Sequence, residues 1–171
     1  HKHDGLAGLE LTHMGYHAGN YMGREIAMAP SAKPAYGNAP FHARTMDKTD
    51  IADYRRWHRN AAIRGKKAGF DIICVYAGHS LSLPMHFLSP RHNHRTDEYG
   101  GSAENNVRAA IEACQLVREA IGPDKLIILR LSQDGVDAFG GAWPDGVRYA
   151  EAIGKALENA PIDALHWSSF D

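Results

Sequence analysis

"FDIICVYAGHSLSLPMHFLSPRHNHRTDEYGGSAENNVRAA", residues 70–110, decides the fold. Its opening, residues 70–78, is a nearly continuous apolar run. That predicts a strand buried on both faces, as in a parallel sheet. Its end opens a helix at Ser102, a good capping residue. From there Val107, Ala110, Ile111, Cys114, Val117 and Ile121 recur at the spacing of one helical face. The connection between strand and helix is polar and stiff. Asn93, Thr96, Asp97 and Ser102 can bond nearby backbone, Gly100 and Gly101 permit positive φ, and Arg95 and Asp97 are spaced for a local ion pair. Such a loop bonds to itself and holds something in place.

Working outward, the same alternation repeats. Upstream, "LAGLELTH" (residues 6–13) reads as a strand, followed by a long Gly/Pro/Ala-rich connection. A helix follows in "KTDIADYRRWHRNAAIRGKKAG" (residues 48–69). Thr49 or Asp50 caps it, Ile51, Tyr54, Trp57, Ala61 and Ala68 approximate one face, and Gly69 ends it. Downstream, "GPDK" breaks the Ser102 helix, and "LIILRLS" (residues 126–132) is a third strand. A loop then leads to a helix beginning near Pro144, and "IDALHWSS" (residues 162–169) is the fourth strand.

The order is βαβαβαβ, which demands an α/β architecture with a parallel sheet. No Gly-rich turn follows a strand in dinucleotide-binding fashion. Instead, each strand carries polar chemistry near its C-terminal end: Glu10 and His13, Tyr76 and His79, Arg130, then His166 and Ser168. Those ends converge at the mouth of a (β/α)8 TIM barrel, where active sites are built. A complete barrel takes about 250 residues, so 171 residues and four strands predict roughly half of one.

Composition excludes other classes. A formal net charge of -1 gives no electrostatic case for nucleic acid or an anionic membrane surface. No apolar run approaches the roughly 20 residues that span a bilayer. Cys74 and Cys114 do not make a disulfide framework and read as small buried hydrophobes, which fits a cytoplasmic location. The chain opens without Met, so a fragment or an internally started chain is expected.

Tyr76 and His79 stand three apart where a strand opens into a loop. They either face a bound ligand or cap loop carbonyls. Arg130 interrupts an apolar strand, and a guanidinium there needs a partner: an anion, a ring that takes up negative charge, or Glu10. His13 with His17, and His92 with His94, invite a metal reading. Neither pair has helical spacing within a helix or a cysteine cluster beside it, so no metal is expected.

"FLSPRHNHRTDEYGGSAEN" (residues 87–105), following "AGFDIICVYAGHS" (residues 68–80), resembles the signature block of the Old Yellow Enzyme superfamily of FMN-dependent oxidoreductases. His86 stands where that block usually has Gln, and Asn106 where it usually has Arg. "LELTHMGYHAGN", "DIADYRRWHRNAAIRGKKAGFD" and "LRLS" are similar as well, so the likeness covers essentially the whole chain. The resemblance implies residues 1–171 as a partial FMN-binding TIM-barrel domain, about strands 3 to 6, with FMN at the C-terminal mouth. It implies that Glu10, usually Gln, bonds the flavin pyrimidine ring. Arg130 would lie beside the flavin N1 and C2 carbonyl, stabilising negative charge on the reduced ring. Tyr76 and His79 would face substrate, with His166 a further candidate for substrate contact.

Tyr-x-x-His, with Glu10 in place of Gln, resembles the trimethylamine, dimethylamine and histamine dehydrogenase branch. That branch implies a small-molecule amine substrate, hydride transfer to FMN and a [4Fe-4S] cluster whose ligands lie outside this chain. It also implies an electron-transfer protein or NAD(P) as acceptor, and a homo-oligomer when complete. The carboxylate that completes the Tyr-His constellation is expected just beyond Asp171. The alternatives are an NAD(P)H-dependent ene-reductase or 2,4-dienoyl-CoA-reductase-like enzyme, and a catalytically silent barrel fragment.

Overall fold

A computed structural model of the chain describes residues 3–18, 25–34, 42–133, 143 and 145–168. Pro144 and Asp171 lie outside the described residues. Four parallel strands form the main sheet: β1 (Gly8–Leu11), β5 (Ile72–Ala77), β6 (Leu126–Ser132) and β7 (Ala164–Ser168), in that spatial order. A smaller sheet joins β2 (Met28–Ala29), β3 (Lys33–Pro34) and β4 (His42–Thr45), with β4 between the other two. The helices are α1 (Lys48–Lys67), α2 (Leu83–Leu88), α3 (Ala103–Ile121) and α4 (Val147–Leu157).

The main sheet follows chain order without reversal, unlike a doubly wound sheet, whose strand order turns back at a switch point. Its register aligns Glu10 with Cys74, Cys74 with Ile128, Tyr76 with Arg130, Arg130 with His166, and Ser132 with Ser168. Because side chains alternate faces, the intervening residues share the opposite side. There Leu11, Ile73, Val75, Ala77, Ile127, Leu129 and Leu131 are buried in one core with Ala62 of α1, Val107, Cys114, Val117 and Ile121 of α3, and Ile153 of α4. The helices therefore cover one side of the sheet only. That is the wall of a (β/α)8 barrel, and the chain is about half of such a barrel.

This corrects the expectation of strands buried on both faces. Cys74, Ile128 and Arg130 are only half-buried, and most of β7 is exposed. The bare face is the one that a closed barrel turns inward.

Locally, α1 starts on a capping box. The Asp47 carboxylate accepts from the Asp50 backbone N–H, and the Asp50 side chain accepts from the Asp47 N–H. The cap is thus Asp47, not Thr49 or Asp50. Its buried face is Ile51, Tyr54, His58, Ala62 and Gly65. Trp57 and Ala68 point outward, and the Trp57 indole stacks on the His13 ring with centroids 5.6 Å apart. Ser102 caps α3 as expected, its oxygen accepting from the Asn105 N–H.

The stiff loop clips the two sheets together. Arg95 makes a two-pronged bond to Asp97, at 3.0 and 2.6 Å, and donates to the carbonyls of Pro30 and Met46. Asn93 is buried; its amide faces the carbonyls of Phe87 and Tyr99 and the side-chain oxygen of Asn106. Asn106 donates to the Tyr149 hydroxyl, which donates to the Leu88 carbonyl. Gly100 has no substitute here: a Cβ would sit 2.3 Å from the Arg95 carbonyl oxygen. The loop begins one step later than the sequence suggested, because α2 intervenes.

Candidate active site

Glu10, Cys74, Tyr76, Arg130, His166 and Ser168 lie on the bare face of the sheet by the alternation above. His79 joins them from the turn after β5. The Tyr76 hydroxyl meets His79 Nδ1 at 2.6 Å. The Arg130 guanidinium lies 5.2 Å from the centre of the Tyr76 ring. It also contacts Glu10 Oε2 at 3.3 Å and donates from Nε to the Ser168 hydroxyl at 3.2 Å. Of the residues singled out from the sequence, Glu10, Tyr76, His79, Arg130 and Ser168 are therefore one cluster. His166 aligns beside Arg130 in the sheet and is exposed, close enough to oppose charge on His79.

Charges in the cluster are graded. Burial raises the Tyr76 phenol above its ordinary value, with Arg130 opposing the rise. Burial, then the Arg130 charge, lowers the His79 imidazole, against a smaller upward pull from Glu10. Near neutrality the pair is therefore an un-ionised phenol beside an uncharged imidazole. A phenol O–H is the better donor, so it donates to Nδ1 and leaves the His79 proton on Nε2.

The Glu10–Arg130 contact is partly solvent-exposed, with side chains 43% and 27% accessible. Ion pairs this open contribute about 0–1 kcal/mol. Stability alone therefore gives little reason for a carboxylate and a guanidinium here. Side by side on a bare surface, they offer an acceptor next to several donors. That set complements the edge of a cyclic imide, in which an N–H is flanked by carbonyl oxygens.

Two members escaped the sequence reading, and a third, Ser168, was named there without its partner. Cys74 was read as a buried hydrophobe. It faces the cluster instead, with Sγ 3.7 Å from Glu10 Oε2, and burial followed by the Glu10 charge pushes its thiol up to about 11. Its parity with Tyr76 was the available signal. The hydroxyl of Ser132 accepts from the His79 backbone N–H. Ser168 holds Arg130 rather than standing free. His13 lies apart, on the α1 side against Trp57 and Tyr54, while His17 packs on Tyr16 and His86, so that spacing makes no joint site.

A family model described as "NADH:flavin oxidoreductase / NADH oxidase family" matches residues 1–169. The chain belongs to the NADH:flavin oxidoreductase / NADH oxidase family. Among relatives in that family, dimethylamine dehydrogenase of Hyphomicrobium sp. (strain x) is 31% identical over 166 residues, which is 92% of this chain and 22% of that protein. An NADPH dehydrogenase of Bacillus cytotoxicus is 36% identical over 169 residues, 98% of this chain and 45% of that protein. The solved structure of histamine dehydrogenase from Rhizobium sp. 4-9 superposes with a TM-score of 0.86 at 38% identity, covering 98% of this chain and 24% of that one. The chain thus spans between about a fifth and half the length of these relatives. Their likeness supports the Old Yellow Enzyme superfamily and its amine dehydrogenase branch.

The donor set fits the cofactor that the family name implies. A flavin pyrimidine ring presents the imide edge that Glu10 and Arg130 complement. Among the described residues, no helix is long and apolar enough to cross a membrane.

Proposed function

We propose that the chain is part of an FMN-dependent amine dehydrogenase, residues 1–171 forming the half of its barrel that carries the substrate-facing rim. The observation that supports this most is the direct Tyr76–His79 hydrogen bond beside Arg130. Glu10 would accept from the flavin pyrimidine N–H, and Arg130 would donate to its carbonyl edge. Bound flavin would supply the two-electron acceptor for C–N bond oxidation. The fixed charge of Arg130 favours the ring when it carries negative charge.

Tyr76 and His79 would orient the amine over that ring. Being uncharged, they tolerate an amine entering as the free base, the form with a lone pair to give. His79 Nδ1 can take the phenol proton when Tyr76 faces a cationic substrate. His166, on the same row of the sheet, would line the substrate's approach. Cys74 and Cys114 cannot supply the four thiolates of a [4Fe-4S] cluster. We place such a cluster, and the onward acceptor, elsewhere in the assembled enzyme.

A second reading is an NAD(P)H-dependent ene-reductase, favoured by the 36% identity to the Bacillus cytotoxicus NADPH dehydrogenase. One paired assay separates them. Turnover with small secondary or tertiary amines and an artificial acceptor is expected, with none from NADPH plus an enone. The reverse outcome replaces the first reading with the second. A purified protein without flavin absorption bands refutes both.

A further inference from the structure

His79 and Ser80 both adopt positive φ, 57° and 52°. Neither is glycine, and such residues persist there only when their surroundings hold them. On one side the Ser132 hydroxyl grips the His79 N–H. On the other side the Ser80 carbonyl meets His86 Nε2 at 2.9 Å, and the His17 ring also hydrogen-bonds the Ser80 backbone. A carbonyl only accepts, so both ring nitrogens facing it carry protons.

The rings are fixed in turn. His86 is fully buried, its ring 4.1 Å from that of Tyr16. It lies so close to Gly15 that a Cβ there would fall 2.3 Å from His86 Nδ1, and Gly15 itself has a φ of 56°. Tyr16 also packs on His17, at 4.1 Å, and carries the Lys33 ammonium 3.9 Å from its ring centre. Lys33 reaches His92 Nδ1 at 2.6 Å. A bonded block of rings thus stands behind one carbonyl.

We propose that His86 and His17 are positioning residues for His79: together they clamp the Ser80 carbonyl and so hold the left-handed turn that delivers the His79 imidazole to Tyr76. Both rings act through the backbone of the turn. The inference rests on the Tyr76–His79 reading above, but not on which substrate is turned over. Burial lowers the His86 imidazole well below the ordinary value, against the upward pull of its bond to the Ser80 carbonyl.

The test is the titration of His79 in the intact protein, followed by NMR of labelled histidine. In the wild type it lies below the ordinary histidine value, because burial and Arg130 depress it. His86→Phe and His17→Phe remove one donor each while keeping a ring. An upward shift of the His79 midpoint is expected from each, and a larger one from the double variant. His86→Gln retains an N–H for Ser80 and should restore the wild-type midpoint. A folded double variant with unchanged His79 titration overturns the proposal. Should it not fold, ¹⁵N shifts of the wild type decide: His86 protonated at Nε2 supports the clamp, and a proton on Nδ1 instead overturns it. No amine enters the measurement, so a failed amine assay and a failed clamp are separate results.

Discussion

Arg130 contacts a carboxylate, a hydroxyl and a phenol ring in the cluster. Its replacement is therefore the sharpest test at the scale of a residue. Arg130→Met keeps length and removes charge and donors. Charge-assisted hydrogen bonds contribute about 1.5–3 kcal/mol, so flavin affinity should fall by about 10–100-fold. The reduction potential should move negative, since reduced flavin loses its counter-charge. Fluorescence titration and spectroelectrochemistry read the two effects, and an unchanged potential removes Arg130 from the flavin edge. This residue was legible in the sequence because a cation amid "LIILRLS" contrasts with its neighbours. Cys74 and Ser132 were not. A cysteine in an apolar run shows no contrast, and Ser132 acts through a hydroxyl on another segment's backbone, which no local pattern encodes.

At the scale of elements, the polar loop and α1 each make a definite prediction. Asn93 ties the end of α2, the loop and α3 together through buried acceptors. Asn93→Ala strands those acceptors, at about 1–3 kcal/mol for each unsatisfied group. Urea denaturation should show a loss of about 3 kcal/mol or more, against the ±0.5 kcal/mol usual for surface changes. His58, buried within α1, bonds the Tyr54 carbonyl. Burial lowers its imidazole to about 4 from the ordinary 6.5. Between those values the unfolded chain holds the extra proton and the native chain does not. Stability present above pH 6.5 should therefore drain away as pH falls toward 4, by about 3 kcal/mol for this group alone. His58→Phe should flatten that acid slope in urea midpoints measured from pH 7 to pH 4.5, and an unaltered slope assigns the acid sensitivity elsewhere. Elements of this size were partly legible. α3 announced itself by cap and stripe, whereas α2 was hidden because its six residues are wholly buried and show no polar face. Trp57 was placed on the core side of α1 by its helical spacing. Its stacking on His13 outweighed that, and small Ala62 and Gly65 take the close contact with the sheet instead.

For the whole molecule, the parallel sheet came directly from the βαβ alternation, because right-handed crossovers leave few other arrangements, and the barrel, with its helices on one side, came from the polar residues at the strand ends. The two-residue strands β2 and β3 did not, since their pairing depends on partners distant in sequence. Leu165 and Trp167, on the helix-facing side of β7, are 47% and 45% exposed, and among the described residues β1 and β7 each have one unpaired edge in this sheet. Bare edges and apolar patches drive association. Residues 1–171 expressed alone should therefore self-associate at micromolar concentration, as read by light scattering after size exclusion. A monodisperse monomer would contradict the open-barrel description.

The uninterrupted march of the main sheet also bears on ancestry. Within this run, every strand's neighbour in space is the next long strand along the chain. A gene segment encoding several whole units could therefore be duplicated, spliced or exchanged between barrels without orphaning a pairing partner inside the block. Inheritance of such enzymes by halves is then a geometric allowance, written into the order in which their strands sit.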